Sequence, residues 1–445
     1  LRAWPDAASM LTMPALPMLL ADATTAVGSK TEELIFHLLV QLLVILVATR
    51  LVTLVVRRLG QTDVSGEILA GLLLGPSALG LLFPAISSDL FHPSTSTIFV
   101  GLAQIGLILL MFQIGMEFEF GEQLGQRKRA VVLVSLAGLV LPFVAGYFSA
   151  PWFHAQLSEQ PDLLGFRLFF AVAMSITAIP ILGRIFMELG LSHTRTAALV
   201  IGSAAIDDVV GWLLLGSVSL IVAEQFSFVW AAQRVGLIGA YVVAVFFVVR
   251  PLLKKWLARD VEQRGGLGLP TIAIVLIVLL CSATITSALG VFAIIGGFVI
   301  GLALHDDRRF VALWKERVSP LVMMLLLPVF FAYTGLRTDI GALDGWSGVG
   351  VCAMVLLVAF GSKFGGAFVA AKLVGESSRS ALTIGTCMNT RALMELIVIN
   401  IGYDMGVVPR DMFTMLVIMA LVSTFMATPL IAWLMKSERR PVAAA

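Results

Sequence analysis

Two carboxylates occupy adjacent positions, Asp207 and Asp208, in the stretch SAAIDDVVGW (203–212), inside an apolar run long enough to cross a bilayer. Only Lys363, Arg391 and Glu395 lie comparably deep in apolar runs of their own. A charge at the bilayer centre costs at least ~2.5 kcal/mol even on lenient insertion scales, so such residues point to function. Neighbours on a helix point about 100° apart, so the two aspartates face different partners. Counted from the same membrane face, Asp207 lies about twelve residues in and Lys363 about nine, or ~18 and ~13 Å at 1.5 Å per residue. A lysine stem spans that gap, so Lys363 is expected to neutralise one aspartate and leave the other facing elsewhere. Arg391 and Glu395, four residues apart, share a helical face and form a supporting ion pair.

A buried carboxylate without a counter-charge is costly when ionised, so it holds either a proton or a cation. The two compete for one site. If that site opens to one side of the membrane at a time, competition alone produces exchange. A lysine paired with the first aspartate adds a second titrating group, coupled to the first. Other chemistries are conceivable for such a cluster. A proton-uncoupled monovalent cation channel would need a conductive path, but no TVGYG-like filter is present. An intramembrane aspartyl protease needs carboxyls converging from separate segments, whereas these are adjacent. An organic-anion symporter would be poorly served by a carboxylate pair.

The residues around the cluster dictate how it is held. The chain has 445 residues, 59% hydrophobic and 13% charged, a composition of polytopic membrane proteins rather than soluble domains. Thirty basic and twenty-eight acidic residues leave a net charge of +2, which implies no nucleic-acid partner. Cys281, Cys352 and Cys387 lack metal or disulfide spacing and are expected as buried thiols. The stretch MLTMPALPMLLADA (10–23) suits a signal peptide within an N-terminal segment, 1–33.

About thirteen segments of bilayer-spanning character follow, near 34–56, 65–82, 98–116, 130–150, 166–189, 196–222, 234–256, 270–287, 289–305, 319–336, 346–371, 378–402 and 411–435. A short tail, 436–445, closes the chain. The expected fold is an all-α polytopic membrane protein. Basic residues concentrate after odd-numbered segments, Arg57, Arg127, Lys128, Arg184, Lys254, Arg308 and Lys436 among them. The opposite side holds only Arg2, Lys30, Arg167, Arg234, Arg337 and Arg410, which puts the N-terminus outside and the C-terminus in the cytoplasm. Glu67, Glu117 and Glu188 lie nearer segment ends and are expected at the interface.

The order of segments contains a repeat. GLLLG (71–75) in the second corresponds to GFVIG (297–301) in the ninth, both GxxxG patterns that permit close helix contact. MFQIGMEFEFG (111–121) in the third matches FFAYTGLRTDIG (330–341) in the tenth. A shift of seven segments reverses the direction of crossing, giving an inverted-topology repeat with a site at its interface near mid-membrane. The fifth and twelfth segments must then share features. The fifth reads AMSITAIPILGR (173–184), where Pro180 cannot donate to the Ile176 carbonyl and Ser175 and Thr177 offer hydroxyls. The twelfth reads GTCMNTRALMEL (385–396), with Asn389, Thr390 and Arg391 at comparable depth. Two broken helices are expected to cross, exposing half-helix ends that need counter-charges.

AAIDDVVGWLLL, Lys363 five segments later, the two broken segments, PVFFAYTGLRTD (328–339) and NTRALMELIVINIG (389–402) resemble the monovalent cation:proton antiporter-2 family. The likeness extends from about residue 34 to 435. It implies a secondary antiporter exchanging Na⁺, with K⁺ or Li⁺ as alternatives, for H⁺ by alternating access; no enzyme activity or cofactor beyond the transported ions is implied. It also implies a homodimer whose scaffold comprises 34–116 and the helices of 234–336, the seventh being a linker, with a moving core formed by 130–222 and 346–435. By the same resemblance Asp208 binds the cation, Asp207 pairs with Lys363, and Asp207 in place of Asn favours electrogenic exchange. A bacterial inner membrane is the expected location. Some branches of that family carry large cytoplasmic domains; no GxGxxG fingerprint follows the last segment, so their regulation is not expected here.

Overall fold

The computed structural model describes residues 30–91, 93–117, 128–223, 227–264, 268–336, 345–391 and 393–436, and their regular structure is helical. Most of the N-terminal segment, residues 118–121 of the first repeat motif and 337–341 of the second lie outside the described residues. The main helices are α1 (Lys30–Arg58), α2 (Asp63–Leu74), α3 (Pro93–Glu117), α4 (Lys128–His154), the pair α5a (Leu163–Ser175) and α5b (Ile179–Glu188), and α6 (Arg195–Val222). There follow α7 (Phe228–Ala244), α8 (Leu269–Ala288), α9 (Ala293–Leu304), α10 (Leu327–Leu336), α11 (Gly345–Leu373), the pair α12a (Ser378–Met388) and α12b (Leu393–Asp404), and α13 (Arg410–Leu434).

Local signals set these boundaries. Asp162, Thr194 and Ser377 cap α5a, α6 and α12a by accepting from the backbone N–H groups of Gly165, Ala197 and Ser380. The helix α7 runs on through a π turn, Val245–Val249, into Arg250–Arg264. That turn sits just before Pro251, which lacks the N–H an α-helix would need there. Beyond it, Arg250 (2.8 Å) and Lys254 both donate to Asp306 in the turn after α9. Partial burial opposes ionisation of Asp306, but these two hydrogen bonds outweigh it and hold its carboxyl below the usual range.

Among the described residues, ten helices are long and apolar enough to cross a membrane, or eleven if the bent pair Arg308–Arg317 and Ser319–Tyr333 is one span. The thirteen expected segments all fall on helices; the tenth passes only within that bent pair, and two more do not pass as spans. One is α9, of 12 residues, only ~18 Å at 1.5 Å per residue. The other is the twelfth, divided between α12a and α12b. Cys352 and Cys387 are buried, but Cys281 is exposed on the outer face of α8, contrary to expectation.

Packing divides the helices into two groups. In one, α4 packs on α5a, α6 and α11, while α11 packs on α12a and α13. In the other, α2 packs on α1 and α10, and α3 packs on α9 and α10. Helix α7 and its continuation (Ala232–Arg259) are the least buried of these spans and the broken fifth span the most; α7 is held to α8 by Tyr241, whose hydroxyl lies 2.6 Å from that of Ser282, and by Arg234, which donates to the Ala288 carbonyl at 3.0 Å.

The repeat is written in the second group at van der Waals distance. A Cβ on Gly71 would lie 1.9 Å from the Ala332 carbonyl oxygen, and one on Gly335 would lie 2.3 Å from that of Ile68. So α2 and α10 interlock through glycine. A Cβ on Gly301 would lie 2.2 Å from the Phe112 oxygen, and one on Gly115 would lie 2.4 Å from that of Phe298. So α9 and α3 interlock in the same way. Exchanging second for ninth and third for tenth turns one contact into the other, as an inverted repeat requires.

Candidate functional site

The two breaks meet at the middle of the first group. Helix α5a ends at Ser175, Ile176 and Ala178 are extended, and α5b restarts with Pro180 in its first turn, where a missing N–H costs nothing. Helix α12a ends at Met388, and α12b begins at Leu393. The Ala178 N–H donates to the Thr390 carbonyl at 3.1 Å, tying one break to the other.

A helix ending inside a membrane leaves four carbonyls without intrahelical partners and a partial negative charge. For α5a all four are accounted for. The Ser175 hydroxyl donates to Val172 O at 2.8 Å, Arg391 donates to Ala173 O at 2.9 Å and to Met174 O at 2.7 Å, and Lys363 donates to Ser175 O. Two cations from α11 and the α12 break thus cap the severed end of the fifth span. Arg391 also lies 3.6 Å from Glu395, and its own carbonyl accepts from Thr424 of α13.

Asp207 and Asp208 are both fully buried on α6 but differ in their surroundings. Asp207 Oδ1 accepts from Ser135 of α4 at 2.6 Å; its Oδ2 accepts from Thr177 at 2.9 Å and from Lys363 at 3.4 Å. Thr177 has a single hydroxyl hydrogen, and the Met388 carbonyl at 3.3 Å is its alternative acceptor. Asp208 receives no hydrogen bond from any described residue on either oxygen. Asn389 Oδ1 and Thr390 Oγ1, on the α12 break, are likewise buried without a partner among the described residues. Asn389 also borders a cavity of about 350 Å³ between α11, α12a and α13, with Phe364 and Thr386.

The structure therefore gathers Ser175, Thr177, Asp207, Lys363 and Arg391 around the end of α5a, with the Thr390 carbonyl tied in through the Ala178 N–H, Pro180 setting the restart of α5b and Glu395 beside Arg391. Sequence reading missed Ser135, which binds Asp207 one helix away, and Thr424. A hydroxyl in an apolar run is common enough that only its tertiary neighbour distinguishes it.

One expectation fails at the other end of the fifth span. Arg184 is not in a basic loop but 4% exposed within α5b. Glu67, expected near a segment end, is 3% exposed, with Arg184 Nη2 at 3.7 Å from its Oε1. Arg184 also bonds Glu188, four residues on. The i,i+4 spacing of Arg184 and Glu188 was the available signal, and the mutual neutralisation is why they tolerate burial.

The chain matches the family described as sodium/hydrogen exchanger, transmembrane, over residues 42–437. A relative from Synechocystis, the Na⁺/H⁺ antiporter NhaS4, is 35% identical, covering 88% of this chain and 96% of its own. Cation/H⁺ antiporter 19 of Arabidopsis thaliana is 34% identical over 91% of this chain, and K⁺/H⁺ antiporter 1 of Saccharomyces cerevisiae is 30% identical over 88%. This chain spans about half the length of those two, 50% and 46%. In fold it resembles the sodium proton antiporter MjNhaP1 of Methanocaldococcus jannaschii, with a TM-score of 0.65 at 15% identity, covering 89% of this chain and 98% of the other.

Proposed function

The chain belongs to the sodium/hydrogen exchanger family, and from that premise we propose that Asp208 is the carboxylate at which a monovalent cation and a proton exclude each other. The protein is a multi-pass membrane antiporter exchanging a monovalent cation for H⁺. An uncoupled channel finds no support among these relatives. The observation that carries the site assignment is the contrast between the aspartates: among the described residues, Asp207 has three donors and Asp208 has none. A buried carboxylate in that condition is stable only when a proton or a cation neutralises it.

Asn389 Oδ1 and Thr390 Oγ1 supply further oxygens suited to a hard monovalent cation, Na⁺ first, with K⁺ or Li⁺ as alternatives. Cation entry at Asp208 draws on the electrostatics of the Asp207–Lys363 pair. If the pair opens, Lys363 releases a second proton, and two protons against one cation make exchange electrogenic. Helices α4 to α6 and α11 to α13 form the moving core, α1 to α3 and α8 to α10 the scaffold, with α7 linking them. The scaffold mediates a homodimer in a bacterial inner membrane, N-terminus outside and C-terminus in the cytoplasm.

Proton flux in proteoliposomes under a clamped potential, with Na⁺, K⁺ and Li⁺ supplied separately, tests this reading. Asp208→Asn should abolish cation-driven flux. Retained exchange in that variant would remove Asp208 from the site.

A further inference from the structure

Away from the aspartates, a second cluster of buried charge joins the two helix groups at one membrane end. Helix α5b is the core element that packs against α2 and α3 of the scaffold. From it, Arg184 reaches Glu67 of α2 at 3.7 Å and Met323 in the π turn before α10, while bonding Glu188 on its own helix. Glu67 Oε2 is buried with no hydrogen bond from a described residue.

Two neighbouring contacts complete backbone groups that each side cannot satisfy alone. The N-cap of α2, Thr62, makes no side-chain cap bond. Glu188 does that work from across the seam, accepting the Asp63 N–H at 2.6 Å, a carboxylate at a helix N-terminus. In α13, Pro429 has no N–H, so the carbonyl of Phe425 four residues earlier is left free. Gln61 of the scaffold fills it, with Nε2 donating to Phe425 O at 2.9 Å. The Thr62 and Thr428 hydroxyls face each other between these contacts at 3.5 Å.

We propose that Arg184, Glu188, Glu67 and Gln61 form a latch that closes this end of the core–scaffold seam, and that it opens and re-forms once per transport cycle. This rests on the reading that the core moves against the scaffold. Each contact across the seam joins groups that the movement separates, and opening it leaves the Glu67 carboxylate, the Asp63 N–H and the Phe425 carbonyl without these partners. The structure is then the state sealed at the membrane end where Arg57 and Arg58 close α1, the cytoplasmic end by the basic-residue bias.

The test replaces Thr62 and Thr428 by Cys in a chain whose Cys281, Cys352 and Cys387 are replaced by Ala. Oxidation to the disulfide should reduce cation-driven proton flux in proteoliposomes to background, and reduction should restore it. Flux from the reduced protein checks the exchange reading; its loss on cross-linking checks the latch. Exchange at full rate by the cross-linked protein would overturn the latch. A second measurement needs no transport: with Thr428→Cys as the sole cysteine, adding Glu188→Gln should speed labelling by a membrane-impermeant maleimide at least about tenfold, because a charge-assisted cap is lost. An unchanged labelling rate would also overturn it.

Discussion

Arg391 places its guanidinium on the last turn of a helix it does not belong to, with Nη2 2.7 Å from the carbonyl oxygen of Met174 and Nη1 2.9 Å from that of Ala173. One broken span supplies the cap for the other. The planar fork of arginine suits two adjacent carbonyls in a way that a point charge does not.

Arg391→Lys should therefore keep the charge opposite Glu395 yet lose one carbonyl contact, while Arg391→Gln leaves Glu395 buried without a cation. Removing one partner of a buried pair costs about 3–5 kcal/mol. In detergent melts, Arg391→Gln should fall well below Arg391→Lys, which in turn falls below the parent chain. Equal Tm values for the two variants would show that the guanidinium is not a cap.

The two aspartates should separate in stability as they do in bonding. Asp208→Asn removes a buried charge that has no donor among the described residues, so its Tm should match or exceed that of the parent in cation-free buffer. Asp207→Asn strips Lys363 of its counter-charge and should cost roughly 3–5 kcal/mol. Cation binding should raise the parent Tm, by about 2.7 kcal/mol of stability at a hundredfold excess over Kd, and leave Asp208→Asn unmoved. A cation-dependent shift surviving in Asp208→Asn would place the cation elsewhere.

Glycine contacts in the scaffold offer an independent check on the repeat. Gly71→Ala and Gly301→Ala each push a methyl group into a backbone carbonyl, at 1.9 Å and 2.2 Å, and should destabilise by about 1–3 kcal/mol as overpacking does. Gly101→Ala on α3 meets nothing within 4 Å and should be neutral or mildly stabilising. Similar melts for all three would mean that the helices do not interlock where the repeat predicts.

Much of this was legible without coordinates, because the membrane restricts what a sequence can mean. A charge in an apolar run is conspicuous, so Asp207, Asp208, Lys363, Arg391 and Glu395 stood out by cost alone. Pro180 marked a break because it lacks a donor, and GLLLG and GFVIG marked close contacts because only glycine permits them. The burial of Arg184 and Glu67 was missed for the opposite reason. Near the end of a run, a charge reads equally as interfacial or buried, and what buries it is a partner about a hundred residues distant in the chain.

Without any coordinates, the chain could be read as a helical membrane protein whose halves repeat in inverted order, and the charges that must be neutralised inside it could be named. Those follow from one-dimensional quantities: run length, spacing and the identity of a residue that lacks a hydrogen or a side chain. It took the packing of the helices to show that, among the described residues, three donors converge on Asp207 and none on Asp208, and that Glu188 caps α2 from across the seam. Donor and acceptor meet there through directions of hydrogen bonds between helices far apart in the chain, and spacing along the chain does not encode direction in space.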